Sequence, residues 1–179
     1  MKCVFSIVLF LWLGNLAAQR KPGWKKHIPP GYTLIDTIVS DMNGDRFPEA
    51  VLLLQPSDTT LVKSPLRPIV VLVGVRKNKF KLLCRNDSIM HLPRAEYAQD
   101  PYSAKQVVNK GFSLIFTGGT TWKWSHTISF VFNEAGQLLF DFEDGYSWNA
   151  DKPNKISPLN FEKPEKWPLL FTAYRNSFL

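Results

Sequence analysis

The chain lacks the residue patterns on which common enzyme motifs depend. Its 179 residues include two cysteines and three histidines, with no Cys-x-x-Cys or His-x-x-x-His spacing to indicate a zinc site. A Gly-x-Ser-x-Gly nucleophile elbow and a glycine-rich phosphate loop followed by lysine are also missing from the sequence. We therefore expect a protein that is not an enzyme.

Long hydrophobic runs are scarce, and the one strong example lies at the amino-terminal end. Lys2 precedes an apolar run at residues 4–13, and the small residues Ala17 and Ala18 follow it, as in a secretory signal peptide. A membrane-spanning helix needs about 20 apolar residues, which this run does not reach. We predict that residues 1–18 are a cleaved signal peptide, that the mature protein is secreted or periplasmic, and that no stable membrane span remains.

Charge of one sign is not concentrated in long blocks, although the net charge is +7. The densest basic patch lies in the segment 19–30, which we interpret either as a solvated arm or as a contact for anionic envelope polymers. The predicted secreted or periplasmic location and the absence of any nucleic-acid-binding motif argue against a nucleic-acid partner. Removal of Cys3 with the signal peptide leaves Cys84 alone, so no internal disulfide is expected, and Cys84 is predicted to be a buried strand residue.

Long helical patterns are also missing, and 13 prolines and 10 glycines separate short apolar segments. Segments rich in apolar and β-branched residues lie at 32–39, 50–54, 68–75, 80–84, 112–116, 122–132 and 138–142. This pattern predicts an all-β fold: a single, mainly antiparallel β domain over residues 31–150, with short helical excursions such as one near 94–99. The proline-rich residues 151–179 are predicted to form an irregular segment that wraps around the domain.

Residues 122–132 show the clearest alternation in the sequence, with aromatic and apolar side chains at the even positions. His126 falls on this face and is predicted to be a core histidine. Trp122 and Trp124 are either core residues or, if the strand begins beyond the sheet, a surface that stacks on sugar rings or anchors a protein. Asp141 and Glu143, two positions apart, are expected to share a solvated strand face.

Oxygen-bearing side chains recur at alternate positions between the first two predicted strands. Asp41, Asn43 and Asp45 would offer side-chain oxygens to a cation, Phe47 its backbone carbonyl, and Glu49 a closing carboxylate. Ca²⁺ takes six to eight oxygen ligands, which such a loop and water would supply. An EF-hand needs an acidic residue three positions after Glu49, where an apolar strand already runs. The alternative is an Asn-Gly hairpin turn with incidental acidic residues.

Asp-x-Asn-Gly-Asp-x-x-x-Glu between two strands resembles the calcium loop of the FG-GAP or VCBS type found in integrin-like β-propellers. The resemblance covers residues 35–54 and implies bound Ca²⁺, but the motif occurs once, so a full propeller is not expected. Three further segments follow: Arg67-Pro68 before an apolar run, Arg85-Asn86-Asp87, and Gly118-Gly119 before Trp122-Lys123-Trp124-Ser125. Together with the loop, they resemble small secreted bacterial proteins of unknown function. We expect a calcium-binding, non-catalytic domain that binds an envelope protein or glycan. The alternatives are an inhibitor or immunity protein for a cell-wall hydrolase and an envelope-glycan hydrolase.

The signal-peptide prediction is testable by intact-mass analysis of the exported protein. We expect the mature chain to begin near Gln19, because the small residues at 17 and 18 suit signal peptidase. Detection of Met1 on exported protein would contradict it.

Overall fold

Nine β-strands and one short 3₁₀ helix form the regular structure of residues 21–58, 66–90, 99–161 and 167–176, which the computed structural model describes. The helix is Gly23–His27, and the strands are β1 (Tyr32–Ser40), β2 (Glu49–Pro56), β3 (Ile69–Arg76), β4 (Lys79–Asn86), β5 (Tyr102–Val108), β6 (Gly111–Gly118), β7 (Trp122–Phe132), β8 (Leu138–Asn149) and β9 (Lys152–Pro158). Neighbouring strands pair antiparallel in a four-stranded sheet, β1-β2-β3-β4, and a five-stranded sheet, β5-β6-β7-β8-β9. The predicted all-β, mainly antiparallel fold is confirmed.

The main hydrophobic core is shared by the two sheets. The four-stranded sheet contributes aliphatic side chains from β1, β2 and β3, such as Val51 and Leu53 of β2. Strands β6, β7 and β8 supply most of the aromatic side chains. Phe130 is at the centre of this aromatic group, with ring centroids 4.9 Å from Phe171 and 5.5 Å from Phe112. Because side chains alternate along a strand, these inward residues recur at every second position.

The opposite face of the four-stranded sheet is buried too. Leu52 and Leu54 of β2 pack there in a second cluster with Trp24 from the 3₁₀ helix. The described part of the basic segment, residues 21–30, thus packs on the sheet through Trp24, while Lys25 and Lys26 remain exposed. His27 is held in place by a 3.0 Å contact between its Nε2 and the carbonyl of Phe80. Burial on both faces explains why β2 and β3 read as continuous apolar runs.

Strand β7 has the predicted alternation over most of its length. Its even-numbered residues from His126 to Phe132 are buried, which confirms His126 as a core histidine. Trp124 is half-buried and packs against the main core, whereas Trp122 is 63% exposed at the start of the strand. The two tryptophans therefore have different environments.

A β-bulge in β8 changes which side chains face the core. Ser129 pairs with Phe142 and Phe130 with Phe140, which leaves Asp141 as the extra residue. Such an extra residue reverses the facing of all positions that follow it. Glu143 consequently points inward with a side chain only 6% exposed. Our expectation that Glu143 shares a solvated face with Asp141 was wrong.

Two strands formed where the sequence pattern is weak. Strand β5 lies where no strand was predicted, between the segments 80–84 and 112–116, and the helical turn expected near 94–99 falls almost wholly outside the described residues. Strand β9 lies in the proline-rich segment predicted to be irregular, and it pairs only with β8 among the described strands. Its prolines and lysines suit an edge strand, since they discourage further pairing.

The end of the described chain returns to the core. Phe171 and Tyr174 belong to the main cluster. The buried Asn86 side chain donates to the carbonyls of both residues, at 2.5 and 3.0 Å. The described residues 171–174 therefore pack on the main core.

Two polar contacts connect the sheets or their flanking loops. The Asp36 carboxylate on β1 accepts hydrogen bonds from the Tyr102 hydroxyl and the Lys105 ammonium on β5. Burial raises the pKa of Asp36, but these hydrogen bonds outweigh burial and leave the pKa lowered. Arg67 forms a two-point ion pair with Asp100, at 2.8 and 2.6 Å, between the segments that lead into β3 and β5.

The aromatic core predicts a large difference between neighbouring positions on opposite faces. Phe130→Ala should destabilise the fold by about 3–5 kcal/mol, because it opens a cavity among packed rings. Phe142→Ala is the matched control, since this ring is 45% exposed on the outer face. Chemical denaturation of both variants tests this, and equal losses of stability would contradict the assignment of faces.

Candidate metal site

The loop between β1 and β2 is a compact turn held by its own side chains. Gly44 and Arg46 have positive φ angles of 81° and 73°, which lets the chain curl within a few residues. The Asp41 carboxylate accepts hydrogen bonds from the backbone N–H groups of Gly44 at 2.8 Å and Arg46 at 3.0 Å. Asp41 therefore sits at the centre of the turn.

Asn43 and Asp45 continue the same pattern further along the loop. The Asn43 side-chain oxygen accepts from the Asp45 N–H at 2.9 Å, and an Asp45 oxygen accepts from the Phe47 N–H at 2.8 Å. The Asn43 amide nitrogen donates to the other Asp45 oxygen at 3.1 Å. The Phe47 side chain is exposed. The predicted ligand residues thus form one hydrogen-bonded loop, with lone pairs left on the carboxylate oxygens.

Glu49 closes the loop from the first position of β2. It has the same alternation as Val51 and Leu53, so its side chain lies on the core side of the sheet. The side chain is 0% exposed, and its Oε2 accepts from the N–H groups of Met42 at 2.8 Å and Asn43 at 3.1 Å. The sequence pattern did not predict this burial, although the position of Glu49 in the strand alternation carried the signal.

Met42 anchors the loop to the protein interior. It is buried in the main core, between residues whose side chains are polar. In the sequence motif, Met42 is only the spacer between Asp41 and Asn43. An apolar residue between two polar ones was the available signal. Its burial fixes the backbone N–H from which Glu49 accepts a hydrogen bond.

Among the described residues, the second oxygen of Glu49 has no hydrogen-bond partner. Oε1 is buried and unsatisfied, whereas Oε2 accepts two hydrogen bonds. Burial raises the pKa of Glu49, the two backbone hydrogen bonds lower it, and the nearby Asp45 and Asp41 raise it further, with a net increase. An unsatisfied buried carboxylate oxygen is unfavourable, and a proton or a cation bound to Oε1 would remove this cost.

The donor set fits a cation in part. Asp41, Asn43, Asp45 and Glu49 offer the hard oxygens that Ca²⁺ prefers, and Glu49 Oε1 has spare capacity. Within the described ranges, no three His, Cys, Asp or Glu side chains are arranged as a ready-made metal cluster. Asn43 and backbone or water oxygens would therefore have to contribute to any coordination shell.

The remaining candidate residues lie on both sheets, with His126 and Glu143 on the five-stranded sheet and Cys84 on β4 of the four-stranded one. His126 Nε2 lies 2.7 Å from a Glu143 oxygen, and both side chains are buried. The imidazole stacks on Phe161, with ring centroids 4.7 Å apart. Cys84 is partly buried, and burial raises the pKa of its thiol to about 12, so the reactive thiolate is disfavoured.

A cleft lies at one end of the five-stranded sheet. Trp124 lines it together with Trp148, whereas Trp122 does not line it directly. The structure thus separates the two predicted partner-binding tryptophans. Trp148 gave only a weak signal in the sequence, because its strand was expected to end at residue 142.

Comparison with protein-family models, curated proteins and solved structures found no match to this chain. The resemblance to FG-GAP or VCBS calcium loops therefore stays a prediction. No helix in the part of the chain that the structure describes is long and apolar enough to cross a membrane.

The raised pKa of Glu49 predicts a pH dependence of stability in the presence of a chelator. A carboxyl group with a raised folded-state pKa stabilises the fold fully below its ordinary value of 4.5, and this contribution is lost as pH rises through the raised value. Glu49→Gln cannot ionise, so it should become more stable than the wild type as pH increases. Urea midpoints over acidic to neutral pH test this.

Glu134→Gln is the matched control for this experiment, because Glu134 is exposed in the turn between β7 and β8. It should follow the wild type at every pH. Parallel curves for the wild type and Glu49→Gln would show that Glu49 has no raised pKa.

Proposed function

We propose that this protein is a calcium-binding, non-catalytic β domain that acts by binding at the bacterial envelope. The observation that carries the calcium assignment is the buried Oε1 of Glu49, which has no hydrogen-bond partner in the part of the chain that the structure describes. This atom belongs to the loop whose Asp41, Asn43 and Asp45 offer further oxygens. A cation at the loop would satisfy it.

Calcium is favoured over a proton by the charges around Glu49. Protonation would neutralise this carboxylate alone and leave Asp41 and Asp45, which both raise its pKa, close together. A divalent cation would offset all three charges at once. Calcium suits the loop better than magnesium, because it accepts irregular shells and longer bonds, whereas magnesium demands octahedral geometry.

The position of the best acid–base pair supports a non-catalytic role. His126 and Glu143 form a close contact, as a general base and its orienting group would. However, their side chains are only 0% and 6% exposed, in a core covered by aromatic rings. A substrate would have no access to this pair, so we interpret it as a structural interaction.

The envelope assignment rests on the predicted signal peptide, residues 1–18, which lies outside the described residues. A binding role fits a domain with an exposed tryptophan, Trp122, and a cleft on the same sheet. We favour this role over that of a glycan hydrolase, which needs two accessible carboxyl groups flanking the bond to be cleaved.

Calcium should raise the melting temperature, and a chelator should lower it. Selective binding to the folded state adds about 2.7 kcal/mol of stability when free calcium is a hundredfold above the dissociation constant. Asp45→Ala should abolish the difference between the two conditions, and Glu49→Gln should reduce it. Magnesium should replace calcium poorly. Thermal denaturation followed by circular dichroism measures each case.

Asp141→Ala is the matched control, because Asp141 is an exposed aspartate at the bulge of β8. It should keep the full calcium response. Identical wild-type melting curves with calcium and with chelator would refute the calcium proposal. The loop would then be an Asn-Gly turn stabilised by its own hydrogen bonds.

A further inference from the structure

The cleft at the end of the five-stranded sheet is lined by both aromatic and polar residues. Its volume is about 880 Å³, near the upper end of the range for small-molecule sites. Two indoles border it, and most of the other lining residues are small or polar. The polar ones include Gln99, Thr120, Thr121, Lys123 and Asp151.

Two hydrogen-bonded turns build this cleft. The turn between β6 and β7 and the turn between β8 and β9 are joined by a 2.8 Å hydrogen bond from the Ala150 N–H to the Thr121 carbonyl. Gly119 has a φ of 88°, and a side chain there would collide with the Trp122 carbonyl. The cleft is therefore formed by backbone that is fixed at both turns.

The absence of a side chain at Gly118 allows Trp124 to pack closely against strand β6. A Cβ on Gly118 would lie only 2.5 Å from Cζ2 of the Trp124 ring, so the indole rests directly on the backbone of β6. Lys123 pairs with Trp148 across β7 and β8, so these two side chains share the opposite face of the sheet. The two indoles thus border the cleft from opposite faces.

The lining selects among classes of ligand. Lys123 and Asp151 give it one charge of each sign, so it does not concentrate positive charge for a polyanion. Its hydroxyl, amide and carboxylate groups would be poorly matched to a lipid chain. A saccharide matches both parts, because its C–H face stacks on indoles and its hydroxyls bond to short polar side chains.

We propose that this cleft binds a neutral oligosaccharide, with Trp148 as a stacking platform and Asp151 as a hydrogen-bonding group. Contact with indoles on two faces requires a ligand longer than one sugar. This inference rests on the proposal that the domain acts by binding. It is independent of the calcium loop, which lies in the other sheet.

The test titrates the full mature protein with neutral tri- and tetrasaccharides of glucose and of N-acetylglucosamine, followed by tryptophan fluorescence and calorimetry. Saturable binding is expected for at least one of these probes. Trp148→Ala should weaken it about tenfold or more, as for the loss of a central aromatic contact. Asp151→Ala should weaken it without removing an indole, which covers the case in which Trp148→Ala fails to fold.

Trp167→Ala is the matched control, since Trp167 is as exposed as Trp122, at 63%, and lies outside the cleft. It should bind like the wild type. Absence of saturable binding by folded protein, or equal effects of Trp148→Ala and Trp167→Ala, would overturn the inference. Retention of an envelope protein through Trp148, without saccharide binding, would instead identify a protein-docking surface and would also overturn it.

Calcium melting curves of the same samples separate the two proposals. A normal calcium response without saccharide binding would refute only the saccharide inference. Saccharide binding without a calcium response would refute only the calcium assignment.

Discussion

Strands β2 and β3 carry hydrophobic side chains on both of their faces, and the rest of the fold has to cover them. One face packs on the five-stranded sheet through Val51 and Leu53. The other is covered by Trp24 from the segment that precedes β1. Full burial of a large aliphatic side chain contributes about 1.5–3 kcal/mol, so neither face could be left open without a large loss of stability. The segment around Trp24 therefore forms part of the hydrophobic packing of the fold.

The burial of Glu49 links this hydrophobic organisation to the candidate metal site. The alternation that directs Val51 and Leu53 into the core also directs Glu49 inward, at the end of the sheet. Met42 is drawn into the same core, and its backbone N–H then meets Glu49 Oε2. The loop is thus fixed at both ends by packing, and a ligand would not need to order it. Such preorganisation reduces the entropic cost of binding.

The strands with a strong hydrophobic pattern could be located from the sequence. The alternation of β7 and the apolar runs of β2 and β3 predicted their positions closely, because burial of one or both faces leaves a direct mark on the sequence. Strands β5 and β9 lie at the sheet edges, where fewer side chains are buried and the pattern is correspondingly weak.

The residues of the candidate loop could be selected from the sequence, but the burial of their side chains could not. The spacing of Asp41, Asn43 and Asp45 indicated a loop with converging oxygens. The full burial of Glu49 depends on packing by distant strands, and local spacing does not encode that. The inward turn of Glu143 depends on one extra residue in β8, which no periodic pattern predicts.

The bulge at Asp141 also determines which side chains of β8 lie on the outer surface of the molecule. Before it, the even-numbered residues of β8 point to the core, as Phe140 does, and after it they point outward. Tyr146 and Trp148 therefore form their ring contact, with centroids 5.5 Å apart, on the outer surface. Loss of that single residue would exchange the two sides of the strand's second half. The Tyr146 and Trp148 side chains would then face the core, and the Glu143 side chain would face the solvent.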